Sequence, residues 1–396
     1  MQALFPLSSE LAWALALVLA WFAGELGHRL LALPRISLYG LVGFALGHSQ
    51  TGLLPPPGEG GAVALLANIA FGLILFEVGY RINLRWLRNN PWLGVSGLLE
   101  AGLTFGLVYL LTRLYDMSVI SGLLLAALSI STSPAAVLRV LNEQRGAGQV
   151  SERILHLCTF NSILAVFVYK IVLGFWVFQS SGSLLAAGWN SLAILLLSAL
   201  LGAVCGVLFP ALLRMLGKLA NDASVVFALS VVLLVAIAHT CKLSPMLAAL
   251  TFGLVARHRR VTLNQTRRNF GVLGDLLAVL LFVFVASMLE LQHVLAGLGI
   301  ALPLMAIRFV GKTVGVTLLA RISGISWRKG WLTGLGLMPM SVFVILLQEQ
   351  TRRLGLALDS EFAPLAAVTL LLEVLGPWLT YWALRLSGES AHEEEK

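Results

Sequence analysis

The amino-acid sequence predicts an all-α integral membrane fold of about 13 transmembrane helices. Three observations carry this expectation. The 396 residues are 58% hydrophobic and 12% charged, with mean hydropathy +0.90, too apolar for a chain that must wet its whole surface. Apolar runs long enough to cross about 30 Å of hydrocarbon recur from end to end. The basic residues then segregate to alternate loops, as the positive-inside rule requires.

Hydropathy and periodicity place the spans at 10–31, 35–50, 63–82, 91–113, 118–143, 150–177, 188–213, 222–240, 243–257, 268–289, 296–320, 327–349 and 362–386. An odd number puts the two termini on opposite sides, and the basic residues place the N-terminus outside and the C-terminus inside. In that orientation 20 of the 27 Lys and Arg residues face the cytoplasm, including Arg81, Arg85 and Arg88 after the third span. Four lie outside (Arg113, Lys242, Arg352, Arg353) and three within spans (Lys170, Arg308, Lys312). A miscounted helix would invert every later loop and mix the two groups, so the bias supports both the number and the orientation. The formal charge of +8 is thereby a topology signal, and no nucleic-acid partner is expected. The expected organisation is one membrane transport domain, 1–386, followed by a short polar cytoplasmic tail, 387–396. The opening MQALFPLSSE carries Glu10 and lacks a basic n-region, so it reads as a mature terminus.

Cys158, Cys205 and Cys241 have no metal-ligand spacing, and the seven histidines are scattered, so neither a metal centre nor a cofactor is expected. Nor does any nucleophile and base stand at a workable spacing, which argues against an enzyme. Gly43/Gly47, Gly102/Gly106, Gly202/Gly206 and Gly311/Gly315 have the small-xxx-small spacing of close helix packing. Glu77 and Arg81 are spaced for a local i,i+4 ion pair.

Two spans carry interruptions. Ile130-Ser131-Thr132-Ser133-Pro134 breaks the fifth, and the run from Gly334 through Pro339 to Ser341 breaks the twelfth. A proline removes a donor and frees a carbonyl of the preceding turn, which in hydrocarbon must find another partner. Paired breaks in corresponding halves point to a transporter site at the midplane of an inverted repeat. The fifth and twelfth spans are therefore expected to unwind near Pro134 and Pro339 and to cross beside Asn161 and Ser162.

Further motifs fall in a recognisable order. Leu33-Pro34-Arg35 leads into Tyr39-Gly40-Leu41-Val42-Gly43, and Leu73-Ile74-Leu75-Phe76 precedes Gly79. Thr132-Ser133-Pro134-Ala135-Ala136-Val137 and Arg308 with Gly311-Lys312 follow. With these motifs the chain resembles, over nearly its whole length, the cation/proton antiporter superfamily, in particular its bacterial sodium/proton and glutathione-gated potassium/proton branch. The resemblance implies a dimer-forming scaffold from 10–82 and 222–289, a mobile core from 91–177 and 296–386, and a linker helix at 188–213. It implies a homodimer in the bacterial inner membrane.

The chain departs from that family at two places. Asn161 fits the first position of the family's ion motif, but Ser162 stands where its essential Asp is expected, and Pro339-Met340-Ser341 replaces a charged motif. A serine hydroxyl brings no charge to offset burial of a cation. The residues expected to bind ion or substrate are Thr132, Ser133, Asn161, Ser162, Arg308, Lys312, Glu100 and Glu373, with Pro134, Pro339 and Ser341 shaping the breaks. Lys312 is expected near Asn161 or Ser162, with Glu100 or Glu373 within about 4 Å, because a lone buried ammonium is costly. The expected activity is alternating-access exchange of a monovalent cation (Na+ or K+) for protons, atypical or uncoupled without the Asp. Two other readings stand beside it: a carrier of a small anionic or zwitterionic solute, and a non-transporting sensor or membrane subunit with a partner protein.

Overall fold

Each apolar run becomes a helix because hydrocarbon offers no water to satisfy backbone N–H and C=O groups. The computed structural model describes residues 8–31, 33–56, 61–177, 184–215, 223–258, 271–341, 343–345, 347 and 361–390. Its helices are α1 (Ser9–Leu31), α2 (Arg35–Leu46), α3 (Ala62–Arg81), α4 (Leu84–Asn89), α5 (Trp92–Leu114), α6 (Val119–Ser129), α7 (Pro134–Glu143) and α8 (Gln149–Val177). There follow α9 (Leu184–Met215), α10 (Ala223–Thr240), α11 (Pro245–His258), α12 (Gly271–Ser287), α13 (Leu291–Leu318), α14 (Trp327–Gly336) and α15 (Ala363–Leu386).

Among the described residues, eight helical segments are long and apolar enough to cross a bilayer, with α6 and α7 together forming one of them. Helix α2 stops at Leu46, earlier than hydropathy predicts. Its 12 residues reach about 18 Å, and the chain continues in turns that are largely exposed at His48, Ser49, Thr51 and Gly52 and are anchored at a few points. Leu54 is fully buried there, and Gln50 Nε2 donates to Leu289 O at 2.9 Å. The short helix α4, capped by the Asn83 side chain on the N–H groups of Arg85 and Trp86, falls in a polar loop where no apolar period announces it. The far end of the twelfth span, residues 259–270 with the start of the tenth span, and residues 391–396 lie outside the described residues.

Helices α1, α2, α3, α10, α11 and α12 pack on one another, with α9 along α11, while α5, α6, α8, α13, α14 and α15 form a second group. The groups meet where α2 touches α15, where α8 runs along α9, and where α7, packed on α8 and α15, touches α3. Glycines bring backbones together at these crossings. A Cβ at Gly79 would stand 2.0 Å from Leu250 O, and one at Gly253 2.0 Å from Phe76 O. Gly43, Gly202, Gly206, Gly311 and Gly315 are crowded in the same way, whereas nothing lies within 4 Å of Gly102 or Gly106. That pair therefore serves no helix crossing among the described residues, contrary to its spacing. Gly253→Ala should separate α3 from α11 and lower stability by about 1–3 kcal/mol. Gly102→Ala should leave it unchanged or raise it, and thermal melting in detergent distinguishes the two.

The beginning of the polar tail does not hang free. Glu389 accepts from Val150 N at 2.9 Å, Ser151 N at 2.8 Å and Ser151 Oγ at 2.9 Å, capping the positive end of α8. Gly148 permits this with φ +150°, and a Cβ there would lie 2.3 Å from the Glu389 carboxyl carbon. Burial of the tail at Glu389 and Ser390 thus follows from helix-end chemistry.

Candidate functional site

Helix α6 ends at Ser129, and α7 restarts at Pro134 with Ser133 as N-cap, its Oγ accepting from Ala136 N at 3.1 Å. Helix α14 ends at Gly336, residues 338–341 are irregular, and the chain is helical again at 343–345. The two breaks touch. Ser133 N donates to Pro339 O at 2.9 Å, and Thr132 Oγ1 donates to Leu337 O at 3.0 Å.

The unwound turns leave carbonyls without helical donors, and two cations of α13 take them. Pro134 has no N–H to give Ile130 O, four residues earlier; Lys312 Nζ donates there at 3.0 Å. Arg308 Nε donates to Ser129 O at 3.0 Å, Nη2 to Ser131 O at 2.5 Å and Nη1 to Met338 O at 2.5 Å. One guanidinium thus joins both breaks. Its planar fork suits the task, since fixed donors diverge in one plane.

Lys312 spends its charge elsewhere. Its Nζ lies 2.6 Å from Glu100 Oε1, both side chains being fully buried, and Asn161 Nδ2 donates to Glu100 Oε2 at 2.6 Å. The glycine pair Gly311/Gly315 sets this distance: a Cβ at Gly315 would be 2.4 Å from Glu100 Cα. Backbones so close carry Lys312, between the two glycines, to the carboxylate on α5. Ser162 Oγ donates to Thr132 O at 2.6 Å, so it stitches α8 to the first break. Asn161 Oδ1, Thr104 Oγ1, Ser131 Oγ and Ser341 Oγ are buried with no partner among the described residues. Of these, Asn161 Oδ1 belongs to a residue that already holds Glu100. An acceptor left open beside a carboxylate suits a small desolvated cation better than an anion.

The chain from 14 to 385 matches the family described as sodium/hydrogen exchanger, transmembrane. The chain belongs to that family. This exchanger-family chain is an integral membrane protein of the cation/proton antiporter superfamily. Its fold is similar to that of the sodium proton antiporter MjNhaP1 from Methanocaldococcus jannaschii. Against the structure at pH 8 the TM-score is 0.61 at 18% identity, covering 96% of this chain and 95% of that one. Against the structure from an electron-microscopy map it is 0.71 at 19% identity, covering 95% of this chain and 97% of that one. At such identities the likeness is one of fold. No curated protein matches the sequence.

In this exchanger-family chain Glu100, Thr132, Ser133, Pro134, Asn161, Ser162, Arg308, Lys312 and Pro339 come together around the two breaks. Glu373 does not join them. Its carboxyl faces Gly40 of α2, so of the two acids expected for Lys312 it is Glu100 that pairs. Ser341 is buried at the end of the second break. Glu77 and Arg81 form the local pair at 3.7 Å.

Sequence reasoning missed a set of links from α7 to the other bundle. Arg139 Nη1 lies 2.6 Å from Asp275 Oδ1, and Glu143 Oε1 accepts from Arg35 Nη1 at 2.7 Å. Asn142 bonds both Glu77, at 3.0 Å, and Arg81. The only local signal was a cluster of polar residues closing an otherwise apolar helix.

Proposed function

We propose that the protein exchanges a monovalent cation for protons across the membrane by alternating access, with Glu100, Asn161 and Lys312 as the exchange site. The observation that carries the reading is the buried Lys312–Glu100 pair at the crossing of the two breaks. A carboxylate there holds either the ammonium or a desolvated cation. When Na+ or K+ takes Glu100 and the open Asn161 oxygen, the ammonium loses its counter-charge, and an uncompensated buried cation is costly. Lys312 then releases a proton as the ion enters and regains one as it leaves, which couples opposite fluxes. The carboxylate that the family motif places next to Asn161 is on this reading supplied by α5.

The same contacts favour a cation over an anionic solute. Arg308 is committed to three carbonyls and Lys312 to Glu100, so neither offers a free positive charge. The group containing α5 to α8 and α13 to α15 would be the moving part, against a scaffold that pairs two copies in the bacterial inner membrane, N-terminus outside. Its links to the scaffold through Arg139–Asp275 and Arg35–Glu143 would break and re-form in each cycle.

The test uses proteoliposomes with a preset pH gradient and a pH-sensitive dye inside. Adding sodium, potassium or lithium should dissipate the gradient in the wild type. Glu100→Gln should abolish the response, while Ser162→Ala should keep most of it, because Ser162 contributes one hydrogen bond worth about 0.5–1.5 kcal/mol. Ser162→Asp would add a second carboxylate within the same shell and should alter cation preference. A wild type inert to all three cations, with Ser162→Asp active, would place the required carboxylate back on α8 and overturn the assignment of Glu100.

A further inference from the structure

Glu373 is the buried carboxylate that the exchange site does not use. It is buried on α15, and both carboxyl oxygens lack a partner among the described residues. Its stripe of α15 rides on the second break. Thr369 Oγ1 reaches Met340 Sδ at 3.7 Å, a Cβ at Gly376 would stand 2.5 Å from Pro339 Cα, and Thr380 Oγ1 donates to Gly336 O at 3.0 Å. On its other side the carboxyl meets α2, where a Cβ at Gly40 would be 2.9 Å from both Cδ and Oε1. Glycine at 40 therefore leaves the carboxyl its room. Ser37 Oγ, one turn away on α2, donates to Val374 O at 2.8 Å, which holds the two helices in register.

Among the described residues, no neighbouring cation is spare to neutralise it. The helices packed on α15 are α2, α7, α13 and α14. Arg35 holds Glu25 and Glu143, and Arg139 holds Asp275. Arg308 is bound to its three carbonyls and Lys312 to Glu100. Arg328 donates to Leu386 O, and Lys329 pairs with Glu389. A bare carboxylate in such a place costs too much to persist unpaired, and only a proton or a small cation can relieve it.

We propose that Glu373 is a second site at which a proton and a desolvated alkali cation compete, lying between α15 and α2 and separate from the Glu100–Lys312 pair. The inference goes beyond the exchange reaction and does not need it. It explains why the acid lies where the two bundles meet: occupied, it passes α2 as a neutral group, while empty it would present a charge to an apolar crossing. Coupling would then involve two carboxyls in each chain.

The test is labelling of the full-length protein in detergent with dicyclohexylcarbodiimide, which attacks protonated buried carboxyls, read by peptide mass at Glu373. Wild type should label there. With sodium, potassium or lithium at about ten times the dissociation constant, labelling should fall roughly tenfold by mass action for at least one cation. Gly40→Ala, which crowds the carboxyl, should weaken that protection several-fold without removing the label. Glu100→Gln should leave both label and protection in place, which separates this site from the exchange site. An unlabelled Glu373, or labelling that no cation changes, overturns the proposal, as does loss of protection in Glu100→Gln. A wild type that shows cation-protected labelling but no exchange in vesicles would keep the second site and remove the antiport reading instead.

Discussion

Lys312→Met should destabilise the protein more than Lys312→Met combined with Glu100→Leu. With the ammonium gone, Glu100 keeps only the amide of Asn161, and a buried charge stripped of its partner costs about 3–5 kcal/mol. Removing both charges eliminates that penalty. Replacement of a buried pair by apolar residues of similar volume is often neutral or stabilising, so the double variant should melt near the wild type. What remains is Ile130 O, which Lys312 satisfies at 3.0 Å and which no methionine can serve, at about 1–3 kcal/mol for an orphaned acceptor. The double variant should therefore recover most of the loss but not all. Exchange should be absent from the single and the double alike. A double-mutant cycle on melting in detergent, with Glu100→Leu as the other single, isolates the coupling. Single variants as stable as the wild type would mean that the two groups do not form a charged pair in the membrane.

The breaks and the candidate cations could be read in the sequence, because their signals are local. Proline after a Ser/Thr run, or three residues after Gly-x-Gly, marks lost hydrogen bonds at one place in the chain, and a charge inside an apolar run stands out without any knowledge of its neighbours. The choice between Glu100 and Glu373 was not legible. Each is a single acid in an apolar helix, and Lys312 lies 212 positions from Glu100, so only the crossing of α5 and α13 decides. The same limit hid the role of Arg308. Its acceptors are carbonyls, which leave no trace in residue type, and they become available only once both helices unwind. The charged ends of α7 were invisible for a related reason: Arg139, Asn142 and Glu143 look like an ordinary solvated terminus until α2, α3 and α12 arrive. Gly102 and Gly106 illustrate the reverse error, a packing motif with no helix opposite it among the described residues. Spacing states what a helix face could do, and tertiary contacts decide whether it does.

Arg308→Met should have the largest effect on folding, and Arg308→Lys should fall between it and the wild type. The guanidinium satisfies Ser129 O and Ser131 O of the first break and Met338 O of the second. Deleting it orphans three buried acceptors at about 1–3 kcal/mol each. The sum rivals the roughly 5–15 kcal/mol by which a typical folded protein is stable. Methionine fills part of the volume and offers no donor, so the variant should reach the membrane in low yield and melt well below the wild type. Lysine restores the charge, but its compact ammonium cannot reproduce a fork that spans two breaks. It should hold one break and release the other. Hydrogen exchange can then tell which, since the Ser133 N–H, bonded to Pro339 O, is protected only while the breaks stay crossed. Fast exchange at Ser133 in Arg308→Lys, with α6 and α14 still protected, is the expected signature of a clamp lost while its helices survive. If Arg308→Met melts within about 1 kcal/mol of the wild type, the orphaned carbonyls have found water instead, and the crossing does not depend on this residue.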